Sequence, residues 1–276
     1  MVSLSRIALG LLSLFATEVG LAQGGASGAP KTLVAVLAHA DDEAPIAPLL
    51  ARYAREGARV YMIIASDGSE GAGQQGTIPR PDSVPRGPEL ARLRADEARC
   101  SAQALGLQPP ILLGFPDGKL GDYIGDRSLL FRLTQRIAEE LQKLHPDAMV
   151  TWGPDGGVGH PDHRLVSAIV TQLARAGAPN VPERLFYMYI PAEGIRAMNP
   201  QRGEPPMLIP QAKYFTARVA FKPEDFQATV RAMGCHRTQF TPQVNERVSS
   251  AMERVLNGAV LLIPAFTTGA VTDLLP

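Results

Sequence analysis

Neither sign of charge is in excess: 27 Lys and Arg balance 27 Asp and Glu, for a formal net charge of zero. A nucleic-acid or anionic-membrane surface needs a basic surplus, so neither partner class is expected. Cysteine is nearly absent. Cys100 and Cys235 have no CxxC spacing, which excludes a cysteine-rich zinc site and a disulfide-built scaffold. The two lie far apart in the chain, and the sequence leaves open whether they pair or stay as buried thiols. Histidine is scarce as well, at five residues in 276. Long apolar runs are missing outside the N-terminus, where Ile7 to Ala16 follows Arg6 and ends in small residues at Gly20 and Ala22. That layout reads as a signal peptide over 1–22 and an exported protein, periplasmic or secreted. Residues 23–30 then form a flexible leader, and no stable membrane span is left after cleavage.

One domain is expected over 31–276, since no second linker, repeat or low-complexity block follows. Strand-like runs alternate with amphipathic ones. "TLVAVLA" (32–38), "RVYMIIAS" (59–66), "PILLGF" (110–115) and "DAMVTW" (147–152) read as strands. Helices are expected at 45–56, 89–105, 129–144 and from Pro161 to Ala176. Later strands are expected in "RLFYMYI" and "KYFTARVAF", and later helices at 226–233 and 244–256. The pattern predicts an α/β fold: a Rossmann-like, mostly parallel sheet with helices on both faces. The Gly- and Pro-rich loop 67–88 is long enough to cover a site.

Such sheets bind ligands beyond the carboxyl ends of their strands. His39, Asp41, Asp42 and Glu43 follow the first strand directly, Asp67 and Glu70 the second, Asp117 the third, and "GPDGGVGHPDH" (153–163) the fourth. Three of the five histidines therefore fall in two loops on one expected edge. Two histidines and a carboxylate, with a position left open, form a common catalytic zinc set. A carboxylate beside the ligands could take a proton from water. His163, near a helix N-terminus, would be kept neutral by the helix dipole and able to bind metal.

"AHADDE" (38–43) with "GHPDH" (159–163) resembles the PIG-L/LmbE-like family of zinc-dependent N-deacetylases. "ELARLRADEARCSAQALG", "LLGFPDGKL" and "CHRTQF" add to the match, which runs over about residues 32–240. The resemblance implies hydrolysis of an N-acetyl group, often on an N-acetylglucosamine unit. It implies His39, Asp42 and His163 as ligands of one Zn2+, with Fe2+ or another divalent ion as a possible occupant. Asp41 is then the general base, and His160 acts at the oxyanion or the leaving amine. Arg94 and Asp117 fall at substrate-contact positions, and His236 could reach the site from the C-terminal half. The family's proline between the first His and Asp is Ala40 here, which removes a rigid φ but no reactive group. Two alternatives stand beside this reading. One is a non-haem iron oxygenase with a 2-His-1-carboxylate set, and the other an exported sugar- or zinc-binding protein without catalysis.

Among the remaining residues, Glu43 is either a partner behind a ligand or an acid opening a helix. Asp117 and Asp155 also suit plain turns. His145 reads as a helix end, and Trp152 as core or as a platform for a sugar.

Overall fold

The computed structural model describes residues 29–70, 85–157, 159–190 and 210–275. The expected signal segment 1–22, most of the leader and the middle of loop 67–88 lie outside the described residues. A seven-stranded sheet runs in the order β3-β2-β1-β4-β5-β7-β6. Its strands are β1 (Thr32–Leu37), β2 (Arg59–Ser66), β3 (Ile111–Phe115), β4 (Ala148–Trp152), β5 (Leu185–Met188), β6 (Ala217–Ala220) and β7 (Ala259–Pro264). The first five pair in parallel, as alternation with helices predicts. β7 runs antiparallel to both β5 and β6. "AVLLIP" was not among the expected strands, and "KYFTARVAF" forms only a short 3-10 turn (Ala212–Tyr214) and the four residues of β6.

Every side chain of β1 is buried. Leu33, Ala35 and Leu37 face one layer, and Val34, Val36 and Ala38 the other. A strand covered on both faces has no polar alternation to show, which is why it reads as an unbroken apolar run. The first layer holds α1 (Ala47–Arg55), α2 (Pro88–Leu105) and α5 (Pro223–Met233), through residues such as Leu50, Ala98, Ala102 and Ala232. The second holds α3 (Arg127–Leu144) and α4 (Pro161–Arg175), through Leu133, Ile137, Leu165 and Ile169. α6 (Pro242–Leu256) packs on α5 and β7.

The helix ends follow local chemistry. α2 stops at Gly106, which takes the left-handed conformation (φ 76°), and His145 does the same for α3. α3 begins two residues earlier than expected because the Asp126 side chain accepts the N–H groups of Ser128 and Leu129. Pro161 opens α4, with His160 as its cap.

Cys100 in α2 and Cys235 after α5 are joined, with Cα atoms 5.8 Å apart. The pairing that the sequence left open is thus a disulfide, and it fastens the C-terminal half to α2.

Candidate metal centre

β1 ends in a tight turn closed by Asp42. Its Oδ2 accepts the backbone N–H groups of Ala38 (2.9 Å) and His39 (2.8 Å). That leaves Oδ1 facing His163 Nε2 at 3.1 Å and His39 Nδ1 at 3.6 Å. The two ring nitrogens are themselves 3.0 Å apart. Three donor atoms from the ends of two neighbouring strands therefore form one small triangle.

Hydrogen bonds decide which way the rings present their lone pairs. His163 Nδ1 lies 2.9 Å from the carbonyl oxygen of Gly156 and donates to it, so Nε2 carries the lone pair. A side chain at Gly156 would meet the His160 carbonyl at 2.7 Å, so the close loop needs glycine, here at φ 80°. His39 Nε2 sits 3.3 Å from Asp117 Oδ1 and 3.4 Å from Asp162 Oδ2, so its proton lies on that side and Nδ1 is the free donor. Two nitrogen lone pairs and a carboxylate oxygen thus point at one another. One proton can relieve one of these contacts, whereas a dication relieves all three. A cation about 2 Å from each atom, the usual distance for zinc to nitrogen or oxygen, fits the triangle.

Other donor groupings exist among the described residues. His39, His160 and His163 bring ligand atoms within 4.8 Å of one another, and so do His39, Asp117 and Asp162. The His160 grouping is the weaker, because His160 Nδ1 already accepts the Asp162 N–H at 3.2 Å. In the acidic grouping, Asp162 accepts from the N–H groups of Gly118 (2.9 Å) and Leu120 (3.1 Å), and Asp117 from that of Glu70 (3.1 Å). Those carboxylates are held by backbone and turned to the far nitrogen of His39, as partners that orient a metal-binding imidazole commonly are.

The electrostatics agree with this division. For the protein groups alone, burial works to lower the pKa of His39, but Asp42, Asp117 and Asp162 outweigh it and hold it well above the usual imidazole value. Burial works to raise Asp42, but His163 and His39 keep it well below the carboxylate range. Asp117 is pushed up by burial and pulled further down by His39, with Arg94 and the Glu70 N–H adding to this, to about 2. His160 moves the other way: burial, then His39 and His163, lower it. Its ring centroid lies 4.7 Å from that of His39 and 4.9 Å from that of His163.

Asp41, next to Asp42 in the turn, pairs with α2. Its Oδ1 accepts Arg94 Nη2 at 2.8 Å, and it keeps 24% of its side-chain exposure while Arg94 has 2%. Arg94 thus pairs across to the loop that follows β1. Gly68 makes room for the guanidinium, since a Cβ there would meet Arg94 Cδ at 2.7 Å. Asp117 is buried against His39, and His236 is fully buried with Nε2 at 2.6 Å from Glu43 Oε1. Arg94, Asp117 and His236, the three residues expected at substrate, are thus each paired with a residue of the loop that carries the ligands: Asp41, His39 and Glu43. Trp152 is buried too and stacks on His163, with centroids 4.6 Å apart and planes 4° apart, so it acts as packing for that ring.

Sequence reasoning passed over Asp162 and, on the inner face of α2 beside Arg94, Glu97 and Ser101. Asp162 looked like an ordinary acid in a first helical turn. Arg94, Glu97 and Ser101 fall three and four residues apart among Leu90, Ala98, Ala102 and Leu105, all buried. Polar residues on an apolar stripe are the signal that could have found them.

The family model described as PIG-L: GlcNAc-PI de-N-acetylase matches residues 34–174. A deacetylase of 1D-myo-inositol 2-acetamido-2-deoxy-alpha-D-glucopyranoside from Kineococcus radiotolerans is 28% identical over 275 residues, covering 83% of this chain and 74% of its own length. Among solved structures, N,N'-diacetylchitobiose deacetylase from Pyrococcus horikoshii aligns with a TM-score of 0.58 at 18% identity, covering 85% of this chain and 84% of that one. The 4-carboxy-2-hydroxymuconate hydratase of Pseudomonas putida KT2440 aligns with a TM-score of 0.57 at 17% identity, over 88% and 98%. The fold thus carries more than one chemistry, and it is the sequence match across the first four strands, both histidine loops included, that places this chain in the PIG-L family of de-N-acetylases.

Proposed function

We propose that this chain is an exported, metal-dependent amide hydrolase that removes an N-acetyl group from a substrate carrying an N-acetylglucosamine unit. One observation carries the reading: in a chain of this family, the lone pairs of His39 Nδ1 and His163 Nε2 and the Oδ1 of Asp42 meet at one point, with the His160 ring next to both imidazoles. Membership of a de-N-acetylase family weighs against the iron oxygenase and against a binding protein without catalysis.

His39, Asp42 and His163 would hold Zn2+ or a similar divalent ion. When bound, such an ion acidifies a water and polarises an amide carbonyl. The remaining work belongs to the side chains around it. Asp41 takes the proton from the attacking water, and the same carboxylic acid later protonates the departing amine. Arg94 fixes the direction of that carboxylate from behind. His160 stays neutral, because burial disfavours its charged form. Its Nδ1 accepts from the helix backbone, so its proton sits on Nε2, where it can donate to the carbonyl oxygen as negative charge builds. Asp117 and Asp162 keep the His39 ring turned with Nδ1 forward.

Two observations support export: the Arg6 and apolar-run layout of the N-terminus, and the Cys100–Cys235 disulfide, which persists in an oxidising compartment. Acetate release should be measured with a panel of N-acetylglucosamine compounds, free, glycosidically linked and lipid-linked. Chelator should abolish it and added zinc restore it. A zinc-loaded, folded protein that releases no acetate from any member would sink the reading.

A further inference from the structure

The face of α2 that holds Asp41 holds a second, deeper group. Glu43 and His236 are 1% and 0% exposed, and Ser101 is fully buried beside them. Glu43 Oε1 accepts from Ser101 Oγ and lies 2.6 Å from His236 Nε2. The two residues are 193 positions apart in the chain. The turn that carries His236 is tied to α2 on either side of it: Cys235 is bonded to Cys100, and Thr238 donates through N and Oγ1, both at 2.7 Å, to the two oxygens of Glu97. The "CHRTQF" turn is therefore fixed independently of the pair, and His236 is a preset anchor to which Glu43 attaches.

Burying an acid and an imidazole is a poor way to gain stability, since apolar residues of similar volume often serve as well or better. What such a pair supplies is a fixed direction and length. Glu43 directly follows Asp41 and Asp42, and the turn between them is short, with Asp42 N–H on the His39 carbonyl and Ala44 N–H on the Asp41 carbonyl. Arg94 grips the loop at position 41, and His236 with Ser101 grips it at position 43. Asp42 lies between these grips and faces the opposite way, toward His39 and His163.

We propose that Glu43 and His236 are positioning residues for the metal centre. Anchored through the disulfide-tied turn, they hold the 39–43 loop so that Asp42 meets His39 and His163, and Asp41 stands beside them. The inference rests on the metal-hydrolase reading above.

The test compares His236→Leu with His236→Gln, whose amide nitrogen can still donate where Nε2 does. Zinc affinity is read by competition with a chelator, the site's shape by the visible bands of the cobalt-substituted protein, and stability by melting of the metal-free chain. His236→Leu should weaken zinc by roughly 10- to 100-fold, the usual cost of losing such a partner. It should also shift the cobalt bands and lower kcat with KM unchanged. His236→Gln should recover most of the affinity and the wild-type bands. Wild-type zinc affinity and cobalt bands in His236→Leu would overturn the proposal, whatever its melting temperature. Should that variant not fold, Glu43→Gln decides. It keeps the shape and weakens the bond, so zinc affinity must fall about tenfold, and unchanged affinity would again overturn it. A wild-type chain that binds no zinc is a different failure, which removes the hydrolase reading before any variant is made.

Discussion

The two ends of β1 are built from similar residues to opposite effect. At the amino end, Asp147 accepts the Thr32 N–H at 2.8 Å and Lys31 Nζ at 3.2 Å, so each acceptor has a donor in front of it. At the carboxyl end, Asp42 and two histidines turn acceptors toward one another. One end pairs its acid with donors of the chain, while the other gathers ligand atoms of the kind that hold a cation. An acid at a strand end is therefore informative by what faces it. Buried acceptors without facing donors are the costly arrangement, and they point to a site.

Mutations at the two ends should differ accordingly. The largest effect is expected for His163→Ala, which removes one corner of the triangle. Zinc should no longer bind stoichiometrically and acetate release should fall to background, as measured by metal analysis after dialysis alongside turnover. His160→Ala should keep its zinc, which separates the two histidines of one loop. Next comes Asp41→Asn. Zinc should stay stoichiometric and the fold intact while turnover falls by roughly 10²–10⁴, the usual worth of a positioned base. Full activity in this variant would move the base elsewhere.

The disulfide tests what stands behind the polar end. Cys100→Ser with Cys235→Ser should cost about 2–4 kcal/mol in denaturant unfolding. The smallest effect belongs to the amino end. Asp147→Asn should cost less than about 1 kcal/mol and leave turnover alone, because the pair with Lys31 is half exposed and screened. Burial pushes the Asp147 pKa up, but the Thr32 N–H and Lys31 outweigh it and the net direction is down. A carboxyl lowered in this way contributes its stability above its unfolded value, near 4, and loses it as pH falls through the folded one. Asp147→Asn should therefore be closest to wild type in acid, and a gap that widens as pH falls would contradict the sign.

Much of the fold could be read from the chain because its evidence is local. β1 and β2 are continuous apolar runs bounded by polar residues, and the rule that sites follow strand ends put His39, Asp42 and His163 on one edge. What could not be read depends on distance. β7 forms only because β5 and β6 offer it edges, and its exposed Leu261 and half-buried Ile263 are themselves apolar, so the sequence shows no alternation. The Cys100–Cys235 bond spans 135 residues, and no spacing rule reaches that far. Arg94, Asp117 and His236 were expected against substrate. Arg94 pairs with Asp41 across 53 positions and His236 with Glu43 across 193, and no local pattern encodes such pairs. Asp162 was hidden by its neighbours, since an acid after proline at a helix start has an ordinary explanation already.

Trp152 is the single tryptophan of the chain, and its ring lies nearly parallel to that of His163. All indole emission from this protein therefore originates in van der Waals contact with a proposed metal ligand. A metal ion taken up by this imidazole would alter the quenching of the indole above it, and cobalt or copper would quench it further by energy transfer. The protein carries its own optical gauge of site occupancy, without a label and without any need to know the substrate.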